Sequence, residues 1–384
     1  MQVYLVGGAV RDQILGRAVN ERDYVVVGAT PEQMLKLGFS QVGADFPVFL
    51  HPHTHEEYAL ARTERKNGTG YLGFHVHAAP SVTLEQDLIR RDLTINAMAI
   101  EVNGLFDDNY KHGHFDLAHV VDPYGGLHDI QHRQLRHVSA AFAEDPVRVL
   151  RLARFASRYA PFGFGVAEQT QALVKTMKAA GALNQLVAER VWAETLKALS
   201  QDWADLYFNW LNRLSVLDAV MPALSQVACQ KNWRPALAAL RLAGQFQADT
   251  LIKFALLATV FCPSYLTDFE QFCTEQKVPK AFSQFAAFFI HHLPALDGIS
   301  TLTPNELFEL FMAANALKDT ARINQALTAS HIYQLSSQLN LIKKLQQELS
   351  CICAKDVCPT LQGKQIGEAI EQLRRQRLAD IVKL

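Results

Sequence analysis

The stretch LVGGAVRDQILGRAVNERDYVVVG, residues 5–28, decides the fold. Leu5 and Val6 read as the end of a strand, and Gly7-Gly8 as a tight turn that lets backbone N–H groups approach a bulky anion. Arg11 adds a fork of donors suited to phosphate. Glu21 and Asp23 then open a second apolar run, Tyr24–Val27. Side chains two apart on a strand share a face, so the two carboxylates can share a hard cation such as Mg²⁺. A phosphate cradle beside a Mg²⁺ clamp is the layout of a nucleotidyl-transfer site. Each half alone also reads as an ordinary turn and a solvated strand end; the weight lies in their conjunction.

Working outward, the 384 residues leave room for two or more domains and a large core. With 49% hydrophobic and 20% charged residues, the composition is that of a globular protein. A net charge of −1 gives no global pull toward nucleic acid, so RNA contact requires a local basic face. Met1 is followed almost at once by strand-like YLVGG, with no room for a secretory leader. The most apolar runs, FALLATVF (254–261) and FAAFFI (285–290), are too short to span a bilayer. All six cysteines lie in the second half; Cys351, Cys353 and Cys358 lack paired C-x₂-C spacing and a nearby histidine, which favours reduced thiols over zinc. A cytoplasmic protein without membrane association or an evident obligate protein partner is expected.

Residues 1–140 hold most strand signals: Val3–Val6, Tyr24–Val27, Pro47–Leu50, Tyr58–Arg62, Ala97–Val102 and Val120–Val121. Helical patterns intervene at Pro31–Lys36 and Leu84–Arg90, and Asn67-Gly68-Thr69-Gly70 reads as a loop. From about Ala143 onward apolar residues recur at three and four, as in VRVLRLARFASRYA and ERVWAETLKAL, and strand signals nearly vanish. Trp192, Trp203, Trp210 and Trp233 suit helix packing there, and residues 364–384 form an amphipathic helix with a basic side. The expected fold is an α/β head followed by an elongated all-α remainder.

Three further constellations stand out. RRDLTINAMAI (90–100) offers Arg91 for triphosphate and Asn96 for sugar hydroxyls, beside Arg90 and Asp92; a helix C-terminus whose arginines favour the dipole is an equal reading. DPYGGLHDI (122–130) is a turn with Asp122 and Asp129 on either side, read as structural before mobile. In EDPVRVLRLARF (144–155), Pro146 sits near a helix start and Arg148, Arg151 and Arg154 follow one slanting ridge that needs an anionic partner.

Together these motifs, with ERVWAE (189–194), resemble in order the five motifs of bacterial CCA-adding tRNA nucleotidyltransferases, the class II branch of the polymerase β-like superfamily. The resemblance covers about half the chain. It implies a mixed-sheet nucleotidyltransferase head (1–140), a helical neck with the nucleobase-selecting site (141–200), and a helical, tRNA-binding body and tail (201–384). It implies addition of C, C and A to the tRNA 3′ end from CTP and ATP without a nucleic-acid template. Glu21 and Asp23 would then be catalytic and hold Mg²⁺, while Gly8, Arg11, Arg91, Asp92, Asn96, Arg151 and Arg154 would serve the nucleotide. Asp145 and Arg148 would select the base, Glu189, Arg190 and Glu194 brace the neck, and Arg62 and Glu64 line the head's site. Base selection by such a pair has its own logic. Cytosine and adenine both present an exocyclic amine beside an unprotonated ring nitrogen; an aspartate only accepts and an arginine only donates. Each bidentate contact of this kind discriminates by roughly 1–3 kcal/mol.

The chain departs from the pattern in three places. Glu21 stands where the family usually has aspartate. Residues 101–126 are longer than usual between motifs, and their His112, His114, Asp116 and His119 read as a solvated loop before a metal site. The helix reading KFALLATVF has no adjacent His-Asp, so no phosphohydrolase activity is expected. Competing readings are a poly(A) polymerase or an enzyme limited to A or CC, and a non-catalytic RNA-binding protein.

Overall fold

Strand β1 (Gln2–Val6) lies inside a seven-stranded sheet and leads straight into helix α1 (Gly8–Ile14). The computed structural model describes the chain except for residues 43–47, 67–73, 103–116, 263–265, 335–338 and 383–384. After α1 come β2 (Asp23–Val27), α2 (Pro31–Lys36), β3 (Ser40–Val42), β4 (Val48–Leu50) and β5 (Glu57–Leu60). A separate hairpin, β6 (Arg62–Lys66) with β7 (Phe74–Ala78), precedes α3 (Leu84–Leu88), β8 (Ala99–Val102) and β9 (Val120–Val121). The sheet order is β3-β4-β5-β2-β1-β8-β9. β2 and β5 run parallel and the other neighbours antiparallel, so the sheet is mixed, as expected.

Alternation along the strands builds two cores. Val3, Leu5, Tyr24 and Val26 join Val10, Met34, Phe49 and Tyr58 on one face. Tyr4, Val6 and Val25 join Leu84, Leu88 and Ala97 on the other. Fully burying a side chain of this size contributes about 1.5–3 kcal/mol. Tyr24 and Tyr58, register partners in β2 and β5, stack at 4.3 Å. Thr30 and Thr83 start α2 and α3 with capping boxes closed by Gln33 and Gln86.

The strands β3, β6 and β7 are not among the sequence expectations: SQV is short and RTERK is polar throughout, whereas FHVHA does alternate apolar with polar residues, a strand signal left unused. The loop Asn67–Gly70 and the residues His112, His114 and Asp116 lie outside the described residues, as does the side chain of Glu64. After β9 come α4 (Gly126–Gln131), β10 (Gln134–Leu135), α5 (Val147–Tyr159), β11 (Gly165–Val166), α6 (Glu168–Ala179) and α7 (Ala188–Leu199).

The chain divides into two compact units: Met1–Val191 with Leu206–Val220, and Trp192–Asp205 with Met221–Leu384. The second is helical and aromatic. Trp192 meets Phe254 and Phe282 edge-on at 5.3 and 5.2 Å, and Arg241 lies 3.8 Å over Trp203 while gripping Asp205 with two hydrogen bonds. Trp192 and Trp233 are buried in it, and Trp210 is buried in the first unit, as helix packing requires. In the second unit Lys253 is buried and donates to the Gln201 carbonyl at 2.8 Å. Among the described residues no helix is long and apolar enough to cross a membrane.

Candidate active site

Gly7 makes the turn from β1 into α1 at φ +68°, a region that favours glycine. A Cβ at this position would lie 2.8 Å from Arg91 Nη1, so the site needs glycine for close approach as well. One turn on, Arg11 is buried and already engaged. Its Nε and Nη2 donate to the two oxygens of Asp12 at 3.0 Å each, and Nη1 donates to Asn96 Oδ1. The rings of Phe155 and Tyr159 flank the guanidinium at 5.3 and 5.1 Å. The phosphate fork read from sequence is therefore a buried junction, with three of its five N–H groups committed.

Asn96 passes the connection on. Its Nδ2 donates to Asp92 Oδ1 at 2.9 Å, and Asp92 Oδ2 accepts from Arg151 Nε at 2.7 Å. Asp92 also accepts from the Leu93 N–H at 2.9 Å. Burial pushes the Asp92 carboxyl upward, but Arg151 and these donors outweigh it and hold it down at about 2. Asp12 receives Tyr159 Oη at 2.9 Å and Arg158 Nη2 at 3.2 Å, and burial is again outweighed, first by Arg11, so its carboxyl is lowered too. A continuous line of paired groups thus runs Asp12–Arg11–Asn96–Asp92–Arg151 from α1 to α5. The anionic partner of the arginine ridge is, at Arg151, a carboxylate of the second motif. Arg154 is buried, 4.6 Å over the Phe155 ring.

Arg91 donates through Nη2 to Asp87 at 3.3 Å and through Nη1 to the Asn96 carbonyl at 3.4 Å; its buried Nε has no partner among the described residues. Asp87 is fully buried and also receives Arg90 Nη2 at 2.7 Å and the Arg62 N–H at 3.3 Å. Burial would raise Asp87, but Arg90 and Arg91 prevail and lower it.

The acidic edge has the opposite character. β2 begins at Asp23, so Glu21 precedes the strand, and strand spacing alone does not bring the two together. A third carboxylate is present: parallel pairing sets Glu57, the first residue of β5, opposite Asp23. Loss of solvation raises the Asp23 carboxyl, Glu57 and Glu21 add to it, and Arg91 alone opposes. Among the described residues no three His, Cys, Asp or Glu side chains enclose a metal position. The donors at this edge are carboxylate oxygens, the ligands that hard divalent cations take.

At the other end of α5, Asp145 accepts the Val147 N–H at 3.1 Å. Both its oxygens are gripped by Arg190, at 3.0 and 2.8 Å. Arg148 is not paired with Asp145; its Nη1 donates to the Ala141 carbonyl at 2.9 Å. The third motif is structural. Asp122 accepts the Gly126 and Leu127 N–H groups at 2.7 and 2.8 Å, capping α4. Asp129 receives Thr94 Oγ1 at 2.7 Å and Arg136 Nε at 3.1 Å.

Glu57, Asp12, Tyr159 and Arg158 were not singled out by the sequence reading. Asp12 adjoins Arg11, and Arg158 and Tyr159 continue the arginine-bearing helix; Glu57 carries no local signal.

The family described as "Poly A polymerase head domain" matches residues 3–136, and "Probable RNA and SrmB- binding site of polymerase A" matches residues 163–227. A CCA-adding enzyme of Marinobacter nauticus is 42% identical over 391 residues, covering 100% of both chains. A multifunctional CCA protein of Acinetobacter baylyi is 41% identical over 419 residues, covering 100% of this chain and 98% of that one. Among solved structures, a tRNA-processing enzyme in apo form I is 25% identical with a TM-score of 0.63, covering 98% of this chain and 93% of that chain. The Thermotoga maritima CCA-adding enzyme complexed with tRNA-CCA shares the fold at 19% identity and a TM-score of 0.65, covering 99% of this chain and 87% of that one.

Proposed function

The chain belongs to the CCA-adding enzymes, and from that premise we propose how its residues divide the work. The enzyme adds C, C and A to the tRNA 3′ end from CTP and ATP without a nucleic-acid template, releasing pyrophosphate, in tRNA maturation and repair. The tRNA 3′-hydroxyl attacks the nucleotide α-phosphate in line. A cytoplasmic setting fits this role.

Glu21 and Asp23 would hold Mg²⁺, with Glu57 set beside Asp23 by the strand pairing. The observation that carries this reading is the register that sets Glu57 opposite Asp23 at the start of β2, with Glu21 two residues before it. The donors here are carboxylate oxygens, and Mg²⁺ commonly takes one or two of them and completes its shell with waters and substrate phosphates. When bound, the ion supplies charge stabilisation and a lowered hydroxyl pKa.

Gly8 and the turn at Gly7 let the triphosphate come close to the backbone, and Arg91, which approaches Gly7 and is held by Asp87 and the Asn96 carbonyl, supplies positive charge to it. Arg151 and Arg154 complete the nucleotide site. Arg11, Asp92 and Asn96 serve it by holding the others: their polar atoms are largely spent on one another. Asp145 accepts from the exocyclic amine of C or A, and Arg148 donates to the adjacent ring nitrogen. Residues 1–140 are the head, 141–200 the neck, and 201–384 carry the tRNA.

Incubating tRNA transcripts that lack CCA with CTP, ATP or both tests the reaction; completed CCA ends are expected, and long A tails on unrelated RNA would overturn the assignment. Arg148→Ala tests base selection. It is expected to admit UTP or GTP, with roughly tenfold or greater loss of discrimination; a variant still faithful to C and A removes Arg148 from the base site.

A further inference from the structure

We infer that Arg190 is a positioning residue for base choice: it fixes the plane of the Asp145 carboxylate and leaves one oxygen lone pair to read the base. The inference rests on the assignment of Asp145 to base reading. Arg190 lies near the start of α7 and reaches back to the residue that precedes α5 by two positions. Its two Nη atoms bond one carboxylate oxygen each, at 3.0 Å to Oδ1 and 2.8 Å to Oδ2. Fork-to-fork pairing of this kind makes guanidinium and carboxylate coplanar.

A carboxylate has about four acceptor positions, two on each oxygen. Oδ1 spends both, on Arg190 Nη1 and the Val147 N–H. Oδ2 spends one, on Arg190 Nη2. The position left on Oδ2 lies in the plane that Arg190 sets, and an exocyclic amine needs one acceptor. Arg148 donates from Nη1 to the Ala141 carbonyl. Without Arg190 the terminal torsion of Asp145, intrinsically broad, is left to the single Val147 bond. Lysine restores a charge but not the fork, so it recovers part of the effect.

The test is single-nucleotide incorporation on a tRNA transcript lacking CCA, with Arg190→Gln, Arg190→Lys and Asp145→Asn measured beside the unaltered enzyme. For Arg190→Gln the KM for CTP and ATP is expected to rise about tenfold while kcat changes less than about threefold, with CTP-over-UTP preference in kcat/KM falling about tenfold. Arg190→Lys should fall between the two. If Arg190→Gln does not fold, the lysine variant is read alone, with reduced preference expected. An unchanged preference, an equal loss of kcat for every nucleotide, or faster incorporation on removing Arg190 overturns the inference. If Asp145→Asn itself keeps the preference, the base-reading assignment fails; if it loses the preference and Arg190→Gln does not, only the role of Arg190 fails.

Discussion

Asp23 and Asp92 belong to the same domain and titrate in opposite directions. Asp92 is enclosed by donors and a guanidinium and is held at about 2. Asp23 is crowded by Glu21 and Glu57, opposed by one arginine, and is raised. The difference separates two kinds of carboxylate. One completes its electrostatics within the protein and is scaffold; the other is crowded by like charge, which the proposed Mg²⁺ would offset.

The largest effect expected from breaking this contrast is at the edge. Asp23→Ala should reduce incorporation roughly a thousandfold or more while leaving tRNA binding and the thermal midpoint close to the unaltered enzyme. A variant that turns over normally would remove the metal assignment. Asp92→Ala should do the reverse in kind, lowering unfolding free energy by roughly 2 kcal/mol because charge-assisted bonds to Arg151 and Asn96 are lost. Denaturant titration measures this, and a stability within error of the parent would make the scaffold role wrong. Gly7→Ala tests the approach of Arg91. Strain at φ +68° costs about 1–2 kcal/mol, and displacement of Arg91 should raise the KM for both nucleotides.

The smallest effect concerns acid. A carboxyl lowered on folding stabilises the protein above its unfolded value, and that contribution is lost as pH falls through the folded value. For Asp92 the loss runs from 3.8 down to about 2, so Asp92→Asn should flatten the acid limb of a stability–pH curve there. Asp23 has the other sign. It protonates sooner than an ordinary aspartate, so the Mg²⁺ concentration needed for half-maximal rate should climb as the medium is acidified.

Much of this arrangement was legible in the sequence. Leu5, Val6 and Tyr24–Val27 announce their strands because alternate residues feed two cores. Arg91, Asp92 and Asn96 fall together because one short segment carries them. Glu57 was not legible, since its place beside Asp23 depends on β2 pairing with β5, a register that no local pattern encodes. Arg11 reads from sequence as a donor fork suited to phosphate, because sequence does not show that Asp12, Asn96 and two aromatic rings close around it. Arg190 was placed as a brace, but its partner, distant along the chain, emerges only in three dimensions.

Helix α5 is fastened to the head twice, by Arg151 to Asp92 and, about two turns later, by Arg158 and Tyr159 to Asp12. Those anchors are about 10 Å apart along the axis. A rod pinned at two points neither slides nor pivots freely, so its opening turn keeps a fixed distance from the Asp12–Asp92 line. If Asp145 and Arg148 read the base as proposed, a purine after two pyrimidines is met by side chains of the opening turn and not by a swing of the helix.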